Sequence, residues 1–440
     1  MITHIRMKNF KSWKDSGEVK LAPLTGFFGT NSSGKSSLLQ MLLLLKQTAE
    51  RSNSDEVIFF GDETSYANLG NFNEVIHGHI IKEKLEFEFG CKLQEPLIIT
   101  QPNNFQDVTV KTYSFIFNTS IQEQFTYLLV PNLSYTINDP INMKIIWSGK
   151  EINYVGLDTV DLINIHEDSS QKNCYGVALP NKNFYFFHFT SAFEELFSHV
   201  FYLGPIRHYP QRFYHWEGSH PKDIGRRGDK TIDALLSARI DQKTILDEEE
   251  EKSIEEKISD WLREMNLAYT FSLERIDSKD GKDYEVRIQQ KENGSKHALA
   301  DMGFGLSQFL PVLVLCYYAP KGSTLILEQP GIHLHPMAQS QLADLFIEVI
   351  TERKLQILVE SHSEHLLTRL QLRIAEEKIS NDKTALYFCQ NENGTSNITP
   401  LKLDEFGNIT NWPKDFFGNV RGDLTKMTRE QIKRKKEAEG

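Results

Sequence analysis

The chain has 440 residues, 40% hydrophobic and 25% charged, which excludes disorder as its main state and is long enough for more than one core. With 49 Lys and Arg against 60 Asp and Glu, the net charge is -11, so the surface as a whole is not built to coat nucleic acid. No apolar run approaches the roughly 18 residues of a membrane span. The longest, Leu38 to Leu45, contains Gln40 and is followed by Lys46. Met1 to Arg6 lack the charged, apolar and small-residue pattern of a secretion signal, so a cytoplasmic location with no membrane partner is expected. Cys91, Cys174, Cys316 and Cys389 are scattered, with no CxxC pair, and read as buried thiols.

In chain order, Ile2, Ile5, Met7 and Phe10 mark a first strand, and Leu24 to Phe28 a second that runs into Gly29. From Lys35 the sequence Ser36 to Leu45 is apolar nearly all round, the pattern of a helix buried against a sheet. Between about Phe72 and Phe201, short aromatic and β-branched runs alternate with Asn, Pro and Gly clusters, among them Tyr113 to Phe117, Met143 to Trp147 and Phe184 to Phe189. These predict an antiparallel β-rich lobe, with Ser148-Gly149 as a hairpin turn. The acidic run Asp247 to Glu251 leads into Ile254, Ile258, Trp261, Leu262 and Met265, predicting one helix over about Glu248 to Asn266 with an acidic first turn.

A helix near Leu306 to Tyr318, a strand Thr324 to Leu327, a helix from Met337 to Thr351, a strand Gln356 to Val359 and a helix after Ser363 follow. Such alternation predicts a mostly parallel sheet. The tail Lys426 to Glu439 carries Lys433-Arg434-Lys435-Lys436, either a solvated helix or a patch for an anionic partner. The expected fold class is α/β, a P-loop unit with a mostly parallel sheet, an antiparallel β-rich lobe and a helical insertion. Residues 1–95 and 201–410 form the two parts of that unit, with the insertion at about 245–268. The lobe takes 96–200 and a C-terminal tail 411–440.

Gly29-Thr30-Asn31-Ser32-Ser33-Gly34-Lys35-Ser36 fits GxxxxGK[ST] in full, between an apolar strand and an apolar helix. Small residues let backbone N–H groups curl round phosphate oxygens at a helix N-terminus. Lys35 reaches the β- and γ-phosphates, and the Ser36 hydroxyl ligates Mg²⁺. The expected nucleotide-binding set is Gly29, Asn31, Ser32, Ser33, Gly34, Lys35, Ser36 and Ser37. Ser323 to Glu328 is a buried-strand pattern ending in a carboxylate, so Glu328 is the expected Walker B acid and, with Ser36, a Mg²⁺ ligand. His333 and His335 beside it could suggest a metal pair, but no third ligand with set spacing accompanies them. His362, just past the strand Gln356 to Val359, is placed to touch a γ-phosphate. Gly303-Phe304-Gly305-Leu306-Ser307-Gln308 is a Gly-rich helix start that can present N–H donors to an anion.

With these elements in order, the chain resembles an ABC-type ATPase head of the RecF, SMC and overcoming-lysogenization-defect class. The segment Ile5 to Ser12 is similar to that class's first strand. Tyr202 to Arg207, Gly303 to Gln308, EQPxIHLHP at Glu328 to Pro336, VESHSEH at Val359 to His365 and the closing Trp412-Pro413 to Phe417 resemble a prokaryotic AAA family ATPase subgroup found in defence operons. The resemblance implies that two copies sandwich two ATP molecules, each lying on one copy's Gly29 loop and completed by Gly303, Gly305 and Ser307 of the other. It implies His362 as a switch histidine. It also implies a Mg²⁺-ligating glutamine, which the sequence does not place among Gln47, Gln94 and Gln101.

Where many such heads carry Asp-Glu, this chain has Glu328-Gln329, and an amide cannot take a proton. The subgroup's frequent Glu is Gly331 here, leaving Glu360 as a stand-in base. The expectation is therefore a slowly hydrolysing, ATP-dimerised sensor or regulator of a separate effector in antiviral defence. The alternatives are a RecF-like DNA-binding repair protein, for which the basic tail speaks, and a nucleotide-locked scaffold. No long heptad arms, zinc hook or nuclease centre is visible.

Overall fold

The computed structural model describes residues 1–51, 56–101, 108–125, 127–139, 143–148, 151–156, 170–178, 184–247, 250–276, 281–413, 416, 425–432 and 434. Two large sheets dominate it. The first is six-stranded, in the order Val200–Leu203, Thr324–Glu328, Gln356–Glu360, Leu24–Gly29, Thr384–Glu392, Thr395–Pro400. Its first five strands run parallel and the last closes an antiparallel hairpin. Every residue of Leu24–Gly29, Thr324–Glu328 and Gln356–Glu360 is buried, as expected of strands covered on both faces.

The period-two alternation sorts their side chains between two cores. Leu325, Leu327, Ile357 and Val359 pack with the helices Phe304–Tyr318, Pro336–Arg353 and Glu364–Ala375. Ile326, Leu358 and Phe27 face the opposite side, where the helix Lys35–Glu50 lies with Leu38, Leu39 and Met41 to Leu45 buried. That second core is shared with the other large sheet, which is antiparallel. It is built from Trp13–Asp15, Ile2–Phe10, Leu85–Gln101, Val108–Gln124, Tyr127–Ile137, Met143–Ser148 and Glu151–Gly156, with Val19–Lys20 beside Ile2–Phe10. The all-round apolar helix is thus the filling between two sheets. The strand Leu85–Gln101 runs through residue 95 with a register shift between Lys92 and Leu97, so lobe and first strand are one sheet.

Two sequence expectations are corrected. Phe184 to Phe189, read above as an aromatic β run, opens a helix, Phe184–Ser198. Its Phe189, Phe193 and Phe197 recur every fourth residue and are buried, and the rings of Phe193 and Phe197 lie 5.7 and 5.5 Å from Phe89, the second edge-on. Spacing on one helical face outweighs aromatic β preference. The helix predicted over about Glu248 to Asn266 is Ile254–Glu264, preceded by a hairpin of Thr244–Asp247 with Glu250–Ser253. Ser253 and Glu256 form a capping box, each side chain closing the other's free backbone N–H, and this sets the helix start. Ser253→Ala is expected to destabilise the protein by about 1 kcal/mol in urea unfolding.

The four cysteines are free and buried. Among the described residues, no helix is long and apolar enough to cross a membrane. Gly149 of the predicted hairpin lies outside the described residues, although Ser148 pairs with Glu151. Residues 425–432 are helical, while Lys433, Lys435 and Lys436 lie outside the described residues. Phe416 of the closing motif packs on Phe28 and Phe388; Phe417 is not among the described residues.

Candidate functional site

Leu24–Gly29 ends at the head of the helix Lys35–Glu50, and the loop between them is cinched around Lys35. The Lys35 ammonium donates to the Thr30 carbonyl at 2.7 Å and the Gly29 carbonyl at 3.2 Å, with Ser33 Oγ at 3.4 Å. Gly34 caps the helix with φ 87°, in the left-handed region that disfavours a side chain. A Cβ there would also stand 2.5 Å from Ser396 Oγ and 2.8 Å from the Trp13 indole nitrogen. Trp13 donates to the Gly34 carbonyl at 3.1 Å, and Ser12 and Ser396 share a 2.6 Å hydrogen bond behind it. Neither Trp13 nor Ser396 carried a sequence signal for this role, because their partners are backbone or far along the chain.

The parallel register sets Glu328 beside Glu360, and Glu360 beside Phe27 of the loop-bearing strand. Glu360 therefore reaches the loop: Ser36 Oγ donates to its Oε2 at 2.8 Å, and Lys35 Nζ stands 4.0 Å from its Oε1. Glu328, the expected Walker B acid, accepts from the Tyr202 hydroxyl at 3.0 Å. A recess of about 390 Å³ is lined by Ser12, Asn31, Ser32, Ser33, Gly34, Lys35, Ser36, Ser37, Glu360 and His362. Glu328, Gln329, Gly303, Gly305 and Ser307 are not in its lining.

Burial dominates the electrostatics. It pushes the Glu328 carboxyl up to about 7, with the nearby Glu360 charge adding to the rise and Tyr202 and Lys11 opposing it. Burial raises Glu360 as well, against its bonds with Ser36 and Lys35. Lys35 is lowered by burial and supported by Glu360, while His362 is lowered by burial and then by the Lys35 charge, against a bond to the Gly29 backbone.

Gln329 sits at φ 49° and donates its N–H to the Glu360 carbonyl at 2.9 Å. His335 caps the helix Pro336–Arg353, accepting from Met337 N at 3.3 Å, and His333 faces the Phe304 ring at 5.0 Å. Neither approaches a third ligand, and among the described residues no group of three or more His, Cys, Asp and Glu could hold a metal. Of the three glutamines considered for Mg²⁺, Gln47 is spent on the Phe59 carbonyl and the Ala67 N–H, and Gln94 reaches the Lys321 carbonyl. The Gln101 side chain is outside the described residues.

The donor set suits a polyphosphate with a divalent ion. A buried ammonium is met at bonding distance only by carbonyl and hydroxyl oxygens, at the N-terminus of a helix, with a hydroxyl and a carboxylate side by side. A parallel sheet with a phosphate-type loop at the carboxyl end of an inner strand defines the class of P-loop nucleotide-binding proteins. Residues 1–195 and 220–367 match the AAA ATPase domain family, and the chain belongs to it. Residues 379–427 match a family described as "protein of unknown function (DUF3696)".

No curated protein matches the chain. Similar solved structures include an SmcHead bound to the C-winged helix domain of ScpA, at 12% identity over 91% of this chain and 98% of that one, with a TM-score of 0.46. The SMC head domain from Thermotoga maritima aligns at 12% identity over 91% and 99% of the two chains, with a TM-score of 0.37. An Smc head domain with an extended coiled coil, bound to the C-terminal domain of ScpA derived from Pyrococcus furiosus, aligns at 11% identity over 91% and 96%, with a TM-score of 0.41.

Proposed function

We propose that the chain binds ATP with Mg²⁺ at the Gly29–Ser36 loop, hydrolyses it slowly and pairs with a second copy around the nucleotide, acting as a switch on a separate effector. The observation that carries this reading is Lys35, a buried ammonium held among carbonyls at a helix N-terminus. Ser36 and Glu360 would hold the magnesium ion, which when bound supplies charge neutralisation to the phosphates. Slow turnover rests on Gln329, whose amide cannot accept a proton.

Pairing is supported by Gly303 and Gly305, which stand outside their own chain's recess, while Ser307 is buried with its hydroxyl donating to the Phe304 carbonyl at 2.8 Å. Exposed Tyr209 and Phe304, their rings 5.4 Å apart, add apolar surface to that region. The place in antiviral defence rests on the resemblance of the motifs around Glu328, Val359 and Trp412.

Two measurements test this reading. A fluorescent ATP analogue should bind Glu360→Gln about tenfold more weakly than wild type in Mg²⁺, and equally in EDTA, since the carboxylate acts through the ion. Equal loss in both conditions would place Glu360 outside the ion's shell. Light scattering should show a monomer become a dimer on adding a non-hydrolysable analogue. A monomer throughout would remove the pairing.

A further inference from the structure

We propose that Arg207 is a positioning residue that ties the Gly303–Gln308 helix start to the acid-bearing strand end, so that nucleotide at one is felt at the other. This rests on the nucleotide-binding reading above. Arg207 follows the strand Val200–Leu203 and is 3% exposed. One terminal nitrogen donates to the Gln308 carbonyl at 2.9 Å; the other donates to the Glu328 carbonyl at 3.2 Å and the Gln329 carbonyl at 3.1 Å. Its Nε is buried without a partner, and burial lowers the guanidinium to about 10, still charged at neutral pH.

A buried cation held by peptide dipoles alone is a costly way to fill space. What it gains is a fork that spans two elements with fixed geometry. On one side is the helix Phe304–Tyr318, at Gln308. On the other are two successive carbonyls at the end of Thr324–Glu328, where Gln329 is also clasped through its N–H by the Glu360 carbonyl.

Four further contacts make the junction stiff. A Cβ on Gly305 would stand 2.5 Å from the His333 carbonyl, so helix start and loop are already in close approach. Phe304 meets the His333 ring edge to face at 5.0 Å, and Gln308 Nε2 donates to the His208 carbonyl at 3.4 Å. Tyr202, five residues before Arg207, holds the Glu328 side chain while Arg207 holds the Glu328 main chain. A shift of the helix start thus has a direct route to Glu328, and through Glu360 to Ser36.

The test uses the full chain as wild type, Arg207→Lys and Arg207→Met. Each is titrated with a fluorescent ATP analogue, then followed by hydrogen exchange across residues 303–318 with and without Mg²⁺ and a non-hydrolysable analogue. In wild type, nucleotide should slow exchange at the helix start by about fivefold or more, the scale of ordinary coupling between sites. Both variants should keep nucleotide affinity within about threefold and lose that response, since a lysine carries the charge without the fork. Variants that bind and still respond would overturn the proposal, as would a wild type that binds without responding. If Arg207→Met fails to fold, the Arg207→Lys result decides. A wild type that binds no nucleotide would sink the functional reading itself, and the titration shows this before any exchange is measured.

Discussion

Lys35→Ala is expected to weaken nucleotide binding at least about a hundredfold, because it deletes a buried ammonium held in the loop. Losing one partner of a desolvated charge pair is worth about 2–5 kcal/mol, and a phosphate facing three Lys35 contacts makes such a pair. The fold should survive. The Gly29 and Thr30 carbonyls lose a donor, but the loop remains pinned by Trp13 at Gly34. Titration calorimetry with ATP and a urea melt on the same variant separate the two effects. Unchanged affinity would mean that the loop does not receive the phosphates.

The second large effect is on stability against pH. Glu328 is held at about 7, above its ordinary 4.5, chiefly by burial and by Glu360. A group raised on folding adds stability that is complete below the unfolded value and is lost as pH rises through the folded one. Between about pH 4.5 and 7 the protein should therefore lose about 3 kcal/mol through this one carboxyl. Glu328→Gln keeps an acceptor for the Tyr202 hydroxyl and cannot ionise, so it should be the more stable protein above pH 7, by up to that amount. Urea unfolding of both proteins at pH 5.5, 7 and 8.5 gives the comparison. Parallel pH profiles would show that Glu328 is not held protonated.

How far the sequence could be read depended on the distance over which each feature is specified. The Gly29–Ser36 loop was legible because its residues are consecutive and its strand and helix flank it directly. The parallel alternation after Leu306 was legible for the same reason, each element carrying its own apolar period. The helix Phe184–Ser198 is masked by its aromatic content, which favours strand, although Phe189, Phe193 and Phe197 repeat every fourth residue. The start of Ile254–Glu264 is written in Ser253 and Glu256, but the acidic run just upstream mimics a helix's first turn.

Other features had no local trace. Glu360 meets Ser36 only because Gln356–Glu360 lies directly beside Leu24–Gly29, while Thr324–Glu328 is one strand further out. That strand order decides which carboxylate faces the loop. Arg207 gives still less away, since its partners are main-chain carbonyls that any residues could supply.

The most direct test of the nucleotide-switch account is steady-state phosphate release from ATP by the purified chain with Mg²⁺, beside Lys35→Ala. The account predicts release that needs the metal, runs below about one turnover per second for want of a carboxylate at Gln329, and vanishes in the variant. Release that persists undiminished in Lys35→Ala would contradict it, because the chemistry would then lie outside the Gly29–Ser36 loop.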